Sequence, residues 1–255
     1  MLLNFQYHQT TAPNQNVPLV LIHGLFGSLS NLGMIARTFN DSHDVILIDI
    51  RNHGRSAHSN DMNYAVMAQD VIETLDHLKI DQFSVIGHSM GGKLAMKLTE
   101  VALDRLQQLV ILDIAPVAYQ ENHHDQVFKA LFAVQNAQLE SRKEATELMR
   151  SLLNEEMVIQ FLLKSFSHGK WLFNVDALYQ HYPDILNWQE ICMWQKPTLF
   201  IRGGNSPYIG QEKYLQAIER QFAQAQIKIV EHAGHWLHAE KTTEVNALIA
   251  SFLSQ

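Results

Sequence analysis

A serine with a glycine two residues away on either side is the feature of this sequence that most directly suggests chemistry. It occurs in Gly87-His88-Ser89-Met90-Gly91, between an apolar run at residues 83–86 and a helix-forming stretch at residues 92–101. At a sharp turn from a strand into a helix, a serine adopts a constrained backbone, and the glycines let neighbouring segments pass close by. The hydroxyl then points into the open, so the segment predicts a nucleophilic serine at position 89.

Two further motifs that follow apolar runs carry groups that such a serine needs. The glycine-rich residues 23–28 follow the apolar residues 17–22, and a loop of this kind directs backbone N–H groups at a bound oxyanion. We expect His23 to fix this loop through a hydrogen bond. Ala233-Gly234-His235-Trp236 follows the last apolar run and supplies an imidazole late in the chain.

A third motif, residues 49–56, also follows an apolar run, but we interpret it as a structural loop. Gly54 permits a turn, while Asp49 and Arg51 are expected to bond to local backbone and to neighbouring side chains. His53 belongs to the same motif and is interpreted in the same way. His88, inside the serine turn, is expected to point away from the serine and to pack or hydrogen-bond rather than act as the base.

The order of apolar and amphipathic segments indicates how these motifs are positioned. Buried strands are predicted at residues 17–22, 45–49, 83–86, 109–114, 197–201 and 227–230, and helices at residues 32–39, 63–78, 92–101 and 239–253, the second of these capped by Asn63. Near-continuous apolar strands that alternate with helices are typical of a parallel sheet covered on both faces.

The middle of the chain breaks this alternation. Amphipathic helices are predicted there at residues 125–134, 141–153 and 157–166, without strand-like runs. We therefore predict one discontinuous α/β domain, formed by residues 1–116 and 195–255, with an all-helical cap inserted at residues 117–194. Such an insertion lies over the carboxyl edge of the sheet, where open α/β sheets bind their ligands.

Composition excludes several classes of protein. The formal charge of −7 is spread along the chain, which excludes a basic surface for nucleic acid or for an anionic membrane. Cys192 is the only cysteine, so no intramolecular disulfide can form, and we expect its thiol to be buried. The N-terminus has no basic region of a signal peptide, and no apolar run approaches the roughly 20 residues that span a bilayer. We expect a cytoplasmic protein.

The histidines do not form a metal-binding pattern. His123 and His124 are adjacent and would face different directions on a helix, and His235 and His238 lack an evident third ligand. We therefore expect no metal and no cofactor.

Taken together, the motifs resemble those of the α/β-hydrolase superfamily, and in particular those of the bacterial YbfF-type esterases. The resemblance covers nearly the whole chain, is weakest in the insertion, and is carried by residues 23–28, 49–56, 87–92, 113–116, 203–208 and 234–241. It implies an α/β-hydrolase fold with a mostly parallel central sheet, with Ser89 as nucleophile and His235 as general base. It also implies an oxyanion hole made by the backbone amides of Leu25 and Met90. Phe26 and Trp236 are further candidates for contacts with substrate.

The acidic partner of His235 departs from the commonest pattern of the superfamily. Many members carry an aspartate after the strand at residues 197–201, where this chain has Ser206 in Gly203-Gly204-Asn205-Ser206-Pro207. A serine is neutral and cannot stabilise an imidazolium as a carboxylate does. Asp113, at the carboxyl end of the strand that follows the serine helix, is the best substitute, and YbfF-type proteins resemble this arrangement. The alternative is Asn205 as a neutral orienting group.

The resemblance implies hydrolysis of small or acyl-chain carboxylic esters through a serine ester intermediate, with acyl-CoA thioesters as a further substrate class. The expected partner is a small-molecule ester or thioester, and the chain is expected to be a monomer or a weak homo-oligomer. Two alternatives stay open: the same three residues used for carbon–carbon bond hydrolysis or perhydrolysis, and a ligand-binding protein without catalytic activity.

Overall fold

A computed structural model describes residues 1–11, 16–120 and 124–255. Its strands in chain order are β1 (Phe5–His8), β2 (Leu19–Ile22), β3 (Val45–Ile48), β4 (Phe83–His88), β5 (Leu106–Leu112), β6 (Phe166–Ser167), β7 (Lys170–Trp171), β8 (Thr198–Gly203) and β9 (Ala225–Val230). Its α-helices are α1 (Gly33–Phe39), α2 (Tyr64–His77), α3 (Met90–Ala102), α4 (Asp125–Asn136), α5 (Arg142–Leu152), α6 (Glu156–Leu163), α7 (Val175–Gln180), α8 (Tyr182–Leu186), α9 (Glu212–Gln221), α10 (Leu237–Glu240) and α11 (Thr242–Leu253). None of these helices is long and apolar enough to cross a membrane.

Seven of the described strands form one sheet in the order β1-β3-β2-β4-β5-β8-β9. All neighbours are parallel except β1, which pairs antiparallel with β3 at the edge. The predicted, mostly parallel α/β fold is therefore confirmed. The sequence analysis did not predict β1, because its four residues alternate between half-buried and exposed and carry no continuous apolar run.

The sheet is covered on both faces because successive side chains of each strand point in opposite directions. In β2, Leu19 and Leu21 pack with α1 and α11, whereas Val20 and Ile22 join the larger core that contains α2, α3 and the insertion. Both faces of β2 are fully buried, which explains why its sequence shows an unbroken apolar run.

Helix boundaries follow local signals with a few departures. Asn63 caps α2 as predicted, its side chain accepting a hydrogen bond from the N–H of Val66. The helix predicted at residues 239–253 is two helices, α10 and α11, because Lys241 leaves the helical region at φ −133°. The helix α9 was not predicted.

The insertion leaves the sheet after β5 and returns to it at β8, and these two strands pair directly with each other. It contains α4 to α8, but also the two-stranded antiparallel pair β6 and β7, so the prediction of an all-helical insertion is wrong in this detail. Strands of two residues are too short to leave a periodic signal in the sequence. The boundaries at residues 117 and 194 stay a prediction.

The base of the insertion is held to the core by polar side chains that reach backbone groups. Buried Gln221 at the end of α9 contacts both connecting segments: its Nε2 donates to the carbonyl of Pro116 at 2.9 Å, and its Oε1 accepts from the indole N–H of Trp188 at 2.9 Å. Tyr64 donates its hydroxyl to the carbonyl of Ile185 at 2.8 Å. Both ends of the insertion are thereby fixed to the same few core residues.

Lys93 on α3 belongs to the same junction. Its Nζ donates to the carbonyls of Leu186 at 2.8 Å and Asn187 at 3.1 Å, and it lies 4.9 Å from the ring centre of Tyr119 and 5.8 Å from that of Tyr64. The side chain is only 1% exposed, and this burial lowers the pKa of Lys93 to about 7. The folded chain therefore holds an amine that loses its proton far more readily than a surface lysine does.

We predict that Lys93→Met flattens the dependence of stability on pH. The unfolded chain keeps this proton up to a pKa of about 10.5, whereas the folded chain releases it near pH 7. Between these values the unfolded state binds more protons, so stability rises with pH, by up to about 1.4 kcal/mol per pH unit. Urea unfolding between pH 6 and pH 10 measures that slope. Lys97→Met, one turn further along α3, is the control and should keep the wild-type slope; equal slopes in both variants would contradict the prediction.

Candidate active site

Ser89 lies at the tight turn between β4 and α3 and has a backbone of φ 54° and ψ −120°. A Cβ on Gly87 would meet the carbonyl of Gly91, and one on Gly91 would meet the carbonyl of Ile22, both well inside the 3.0 Å that real Cβ atoms keep. The N–H of Ser89 also donates to the carbonyl of Leu112 at 3.0 Å. Close packing and hydrogen bonding thus hold a backbone conformation that a serine rarely adopts.

A chain of two hydrogen bonds joins this serine to an imidazole and a carboxylate. Ser89 Oγ lies 2.9 Å from His235 Nε2, and His235 Nδ1 lies 2.7 Å from Asp113 Oδ2. The three residues follow β4, β9 and β5, whose carboxyl ends share one edge of the parallel sheet. The structure therefore brings together the three residues that the sequence analysis proposed as catalytic.

The carboxylate of Asp113 is completely buried and is held by donors from the segment that follows β8. Its Oδ1 accepts from the N–H of Gly203 at 2.9 Å, and its Oδ2 accepts from the hydroxyl of Ser206 as well as from His235. Asn205, the alternative orienting residue, is exposed, and the hydrogen bond of His235 Nδ1 goes to Asp113 instead. Of the two candidate partners of His235, Asp113 is therefore the one that its ring contacts.

His88 holds the loop that carries His235. Its Nε2 donates to the carbonyl of His235 at 2.9 Å, and the two rings lie 4.8 Å apart. Burial lowers the pKa of His88 well below its usual value, so the ring is neutral with its proton on Nε2. Tyr208 covers another side of the His235 ring, at 4.2 Å between ring centres. The imidazole is thus confined by one buried histidine and one tyrosine.

Two neutral histidines shape the glycine-rich loop beside the serine. His23 donates from Nδ1 to the carbonyl of Gly24 at 2.8 Å and accepts at Nε2 from the N–H of Ile50 at 3.1 Å. His53 accepts at Nε2 from the N–H of Phe26 at 3.1 Å. Burial lowers the pKa of His23 to about 4, and burial together with the adjacent His23 lowers that of His53 to about 3. Both rings therefore stay neutral and can accept as well as donate.

The loop at residues 49–56 has the structural contacts that its sequence indicated. Asp49 accepts from the N–H of Leu29 at 2.7 Å and from that of Arg55 at 2.9 Å, and Arg51 pairs with Asp70 at 2.6 Å. His53 does more than was predicted, because it fixes the backbone of the neighbouring glycine-rich loop.

A cavity of about 330 Å³ opens between the sheet edge and the insertion, next to Ser89 and His235. The other predicted contact residues line it as well: Leu25, Phe26, Met90 and Trp236. The insertion contributes polar groups to its wall, such as Gln126, Asn154 and Glu155, together with these apolar side chains: Val127, Leu153, Val158, Phe161, Leu162, Ile185 and Leu186. The cavity therefore places a partly apolar space directly beside the serine hydroxyl and the imidazole.

Several residues in this region were missed or misplaced by the sequence analysis. The cavity is also lined by Lys93, Tyr119 and Tyr208, which the sequence analysis did not propose. The one sequence signal for them was a lysine among apolar helix positions, four residues after the serine. Cys192 is exposed rather than buried, since it lies in the irregular segment between α8 and β8. His123 lies outside the described residues, and His124 contacts the hydroxyl of Tyr182 at 2.5 Å.

The sequence itself matches a known family over most of its length. Residues 17–242 match the family described as the alpha/beta hydrolase fold. The chain belongs to the α/β-hydrolase family.

Individual relatives agree with this assignment. The chain is 48% identical over 254 residues to esterase YbfF of Escherichia coli (strain K12), and the match covers 100% of both chains. It is 37% identical to an sn-1-specific diacylglycerol lipase of Mus musculus, over 92% of this chain and 80% of the lipase. The solved structure of a marine microorganism esterase, 32% identical, superposes with a TM-score of 0.91 and covers 98% of this chain and 99% of the other. The predicted resemblance to YbfF-type esterases is confirmed.

We predict that Asp113→Asn lowers kcat for an ester substrate by about 10⁴-fold, as in other triads whose acid is made neutral. An asparagine cannot balance an imidazolium charge, and its amide favours the wrong imidazole tautomer. Steady-state kinetics measure the loss, and thermal unfolding of the same preparation checks that the variant is folded. In a Ser89→Ala background, the same substitution should cost almost nothing further, because residues that act as a unit are not additive. Turnover by Asp113→Asn within tenfold of wild type would remove this carboxylate from the mechanism.

Proposed function

We propose that the protein is a serine esterase that hydrolyses acyl esters through a covalent acyl-enzyme intermediate. Its relatives include esterases and a lipase, and the chain is an ester hydrolase of the same family. The observation that carries the proposed mechanism is the continuous hydrogen-bonded chain from Ser89 through His235 to the buried Asp113, at the edge of an apolar cavity.

In the first half of the proposed reaction, His235 Nε2 takes the proton of Ser89 Oγ as that oxygen attacks the ester carbonyl carbon. Asp113 accepts the Nδ1–H bond throughout and stabilises the imidazolium that forms. The carbon–oxygen bond to the leaving alcohol then breaks, and His235 gives its proton to that alcohol. In the second half, His235 removes a proton from water, the hydroxide attacks the acyl carbon, and Ser89 Oγ leaves with the proton returned to it.

The negative oxygen of each tetrahedral intermediate is proposed to bind the backbone N–H groups of Leu25 and Met90. Two features support this assignment. Met90 is the first residue of α3, so its N–H lies at the positive end of the helix dipole. Gly24, which precedes Leu25, packs directly against the serine: a Cβ there would lie 3.3 Å from Ser89 Cβ. Each such donor contributes about 2.7–4 kcal/mol to stabilising the transition state.

Acyl-chain esters are the proposed substrate class, with acyl-CoA thioesters as a second test substrate. The aliphatic and aromatic side chains that the insertion contributes to the cavity wall favour a hydrocarbon chain over a polar acyl group. We also propose a cytoplasmic location, on the basis of the composition of the chain.

Covalent labelling tests the nucleophile directly. We predict that an alkyl fluorophosphonate adds to the wild-type protein with a stoichiometry of one, at Ser89, because the phosphorus mimics the tetrahedral intermediate. Intact-mass spectrometry measures the adduct and peptide mapping locates it. Ser89→Ala should not be labelled, and His235→Ala should react at least about 10³-fold more slowly, since its serine has no base. An adduct on another residue, or none on the wild type, would refute the mechanism and favour a ligand-binding protein.

Filling the cavity tests the acyl site. We predict that Val158→Trp, on the insertion wall, lowers kcat/KM for p-nitrophenyl decanoate by at least about tenfold, while p-nitrophenyl acetate changes less than threefold, because only the longer chain needs the lost volume. The neighbouring Met157 is 60% exposed, so Met157→Trp is the matched control and should leave both substrates unchanged. Equal losses on the two esters in Val158→Trp would show that the acyl chain lies elsewhere.

A further inference from the structure

One histidine that lines the cavity beside Ser89 takes part neither in the proposed mechanism nor in the hydrogen bonds that hold the loops. His238 lies three residues after His235, in the short helix α10, and it borders the cavity although it is only 5% exposed. The ring of His88 contacts both of them, with its centre 4.4 Å from that of His238 and 4.8 Å from that of His235. His238 therefore belongs to the part of the cavity that contains the catalytic base.

His238 carries an unpaired polar atom. Its Nδ1 is buried, and none of the residues that the structure describes forms a hydrogen bond with it. The other buried histidines at this edge of the sheet differ, since His23, His53 and His88 each bond to backbone groups. Buried polar atoms are nearly always paired in folded proteins, so an unpaired one in a cavity wall indicates that a ligand supplies its partner. The torsion between Cβ and an imidazole ring is broad, so the ring can turn a nitrogen towards the cavity without movement of the backbone.

The ring of His238 is neutral. Burial, and after it the nearby His235 and Lys164, lowers the pKa of His238 to about 4. A neutral imidazole donates at one nitrogen and accepts at the other, and an alcohol hydroxyl likewise both donates and accepts. The ring has no positive charge with which to hold a carboxylate or a phosphate. This part of the wall is thus suited to an uncharged hydroxyl group.

The position of the ring relative to His235 indicates which part of an ester it meets. In the proposed reaction, His235 Nε2 gives its proton to the oxygen of the leaving alcohol, so that oxygen must come within hydrogen-bonding distance of this nitrogen. The alcohol part of the ester therefore lies on the His235 side of the serine. His238 is on that side, because it shares the contact with His88 and is close enough to His235 to be affected by its charge.

We propose that His238 binds a second hydroxyl on the alcohol part of the substrate, so that esters of diols and polyols are the preferred substrate class. This inference depends on the serine esterase function proposed above and specifies its leaving group. The second hydroxyl does not react, so its hydrogen bond is present both in the bound ester and in the transition state. The effect is therefore expected in kcat/KM rather than in kcat alone.

The test compares two esters that differ in a single group. Hydroxyethyl butanoate and propyl butanoate have leaving alcohols of equal length, one ending in a hydroxyl and the other in a methyl group. Titration of the released acid at pH 8 measures kcat/KM, which is divided for each ester by its rate of hydrolysis by hydroxide. We expect this normalised value in the wild type to be about 3- to 10-fold higher for the hydroxyethyl ester, the usual effect of one uncharged hydrogen bond.

Three variants assign this preference to the ring. His238→Leu should reduce the ratio between the two esters to less than about twofold, because leucine fills a similar volume without a polar atom. His238→Gln keeps a donor and an acceptor and should retain most of the wild-type ratio. His77→Leu is the control, since His77 is exposed in the last turn of α2, outside the cavity lining, and it should match the wild type on both esters. Labelling of Ser89 by the fluorophosphonate checks that each variant is folded around a reactive serine.

Two results would overturn this assignment. A wild-type ratio below about twofold would show that the second hydroxyl is not bound, and this result requires no variant. Equal losses on the two esters in His238→Leu, with the ratio unchanged, would show that the ring only packs against His88. Failure of the proposed function is distinguishable, because the wild type would then hydrolyse neither ester and would not be labelled at Ser89.

Discussion

The candidate site depends on the close approach of three backbone segments around Ser89. The positive φ of this residue is maintained because β4, the start of α3 and the end of β2 meet where only glycine fits, at Gly87 and Gly91. A similar contact joins the ends of β8 and β9, where a Cβ on Gly203 would meet the carbonyl of Gly234. These contacts fix the positions of the strand ends relative to one another. They therefore fix the distances between the Ser89 hydroxyl, the His235 imidazole and the Asp113 carboxylate.

Around these strand ends the structure uses histidine as a neutral, two-sided hydrogen-bonding group. His23, His53 and His88 are each buried, and burial lowers the pKa of each ring. A neutral ring donates at one nitrogen and accepts at the other, so it can join two backbone segments without burying a charge. His235 differs because its side chain is 21% exposed and bonds to side chains at both nitrogens. Histidine thus has a structural role at these three positions, whereas His235 has the exposure and the contacts that its proposed role as a base requires.

The sequence contained most of the information about the serine turn and much less about its partners. The turn could be predicted because its determinants, glycine spacing and a flanking apolar run, lie within about ten residues. The acidic partner was harder to predict from the sequence. Asp113 and His235 are 122 residues apart and meet only because β4, β5, β8 and β9 pair in one sheet. The sequence analysis noted that Ser206 stands where many related proteins have an aspartate. Its hydrogen bond to Asp113 has no signature in the sequence. The two-residue strands β6 and β7 were missed because they are too short to carry a pattern, and β1 was missed because it has no continuous apolar run.

Gln221 has a consequence for how the cavity admits a ligand. A single buried amide bridges the outgoing chain at Pro116 and the returning chain at Trp188, and it also accepts from the N–H of Ile191. A rigid swing of the whole insertion about its attachment would break all three bonds of this buried side chain at once. Movement of the outer helices alone, such as α5 and α6, would leave these three hydrogen bonds intact.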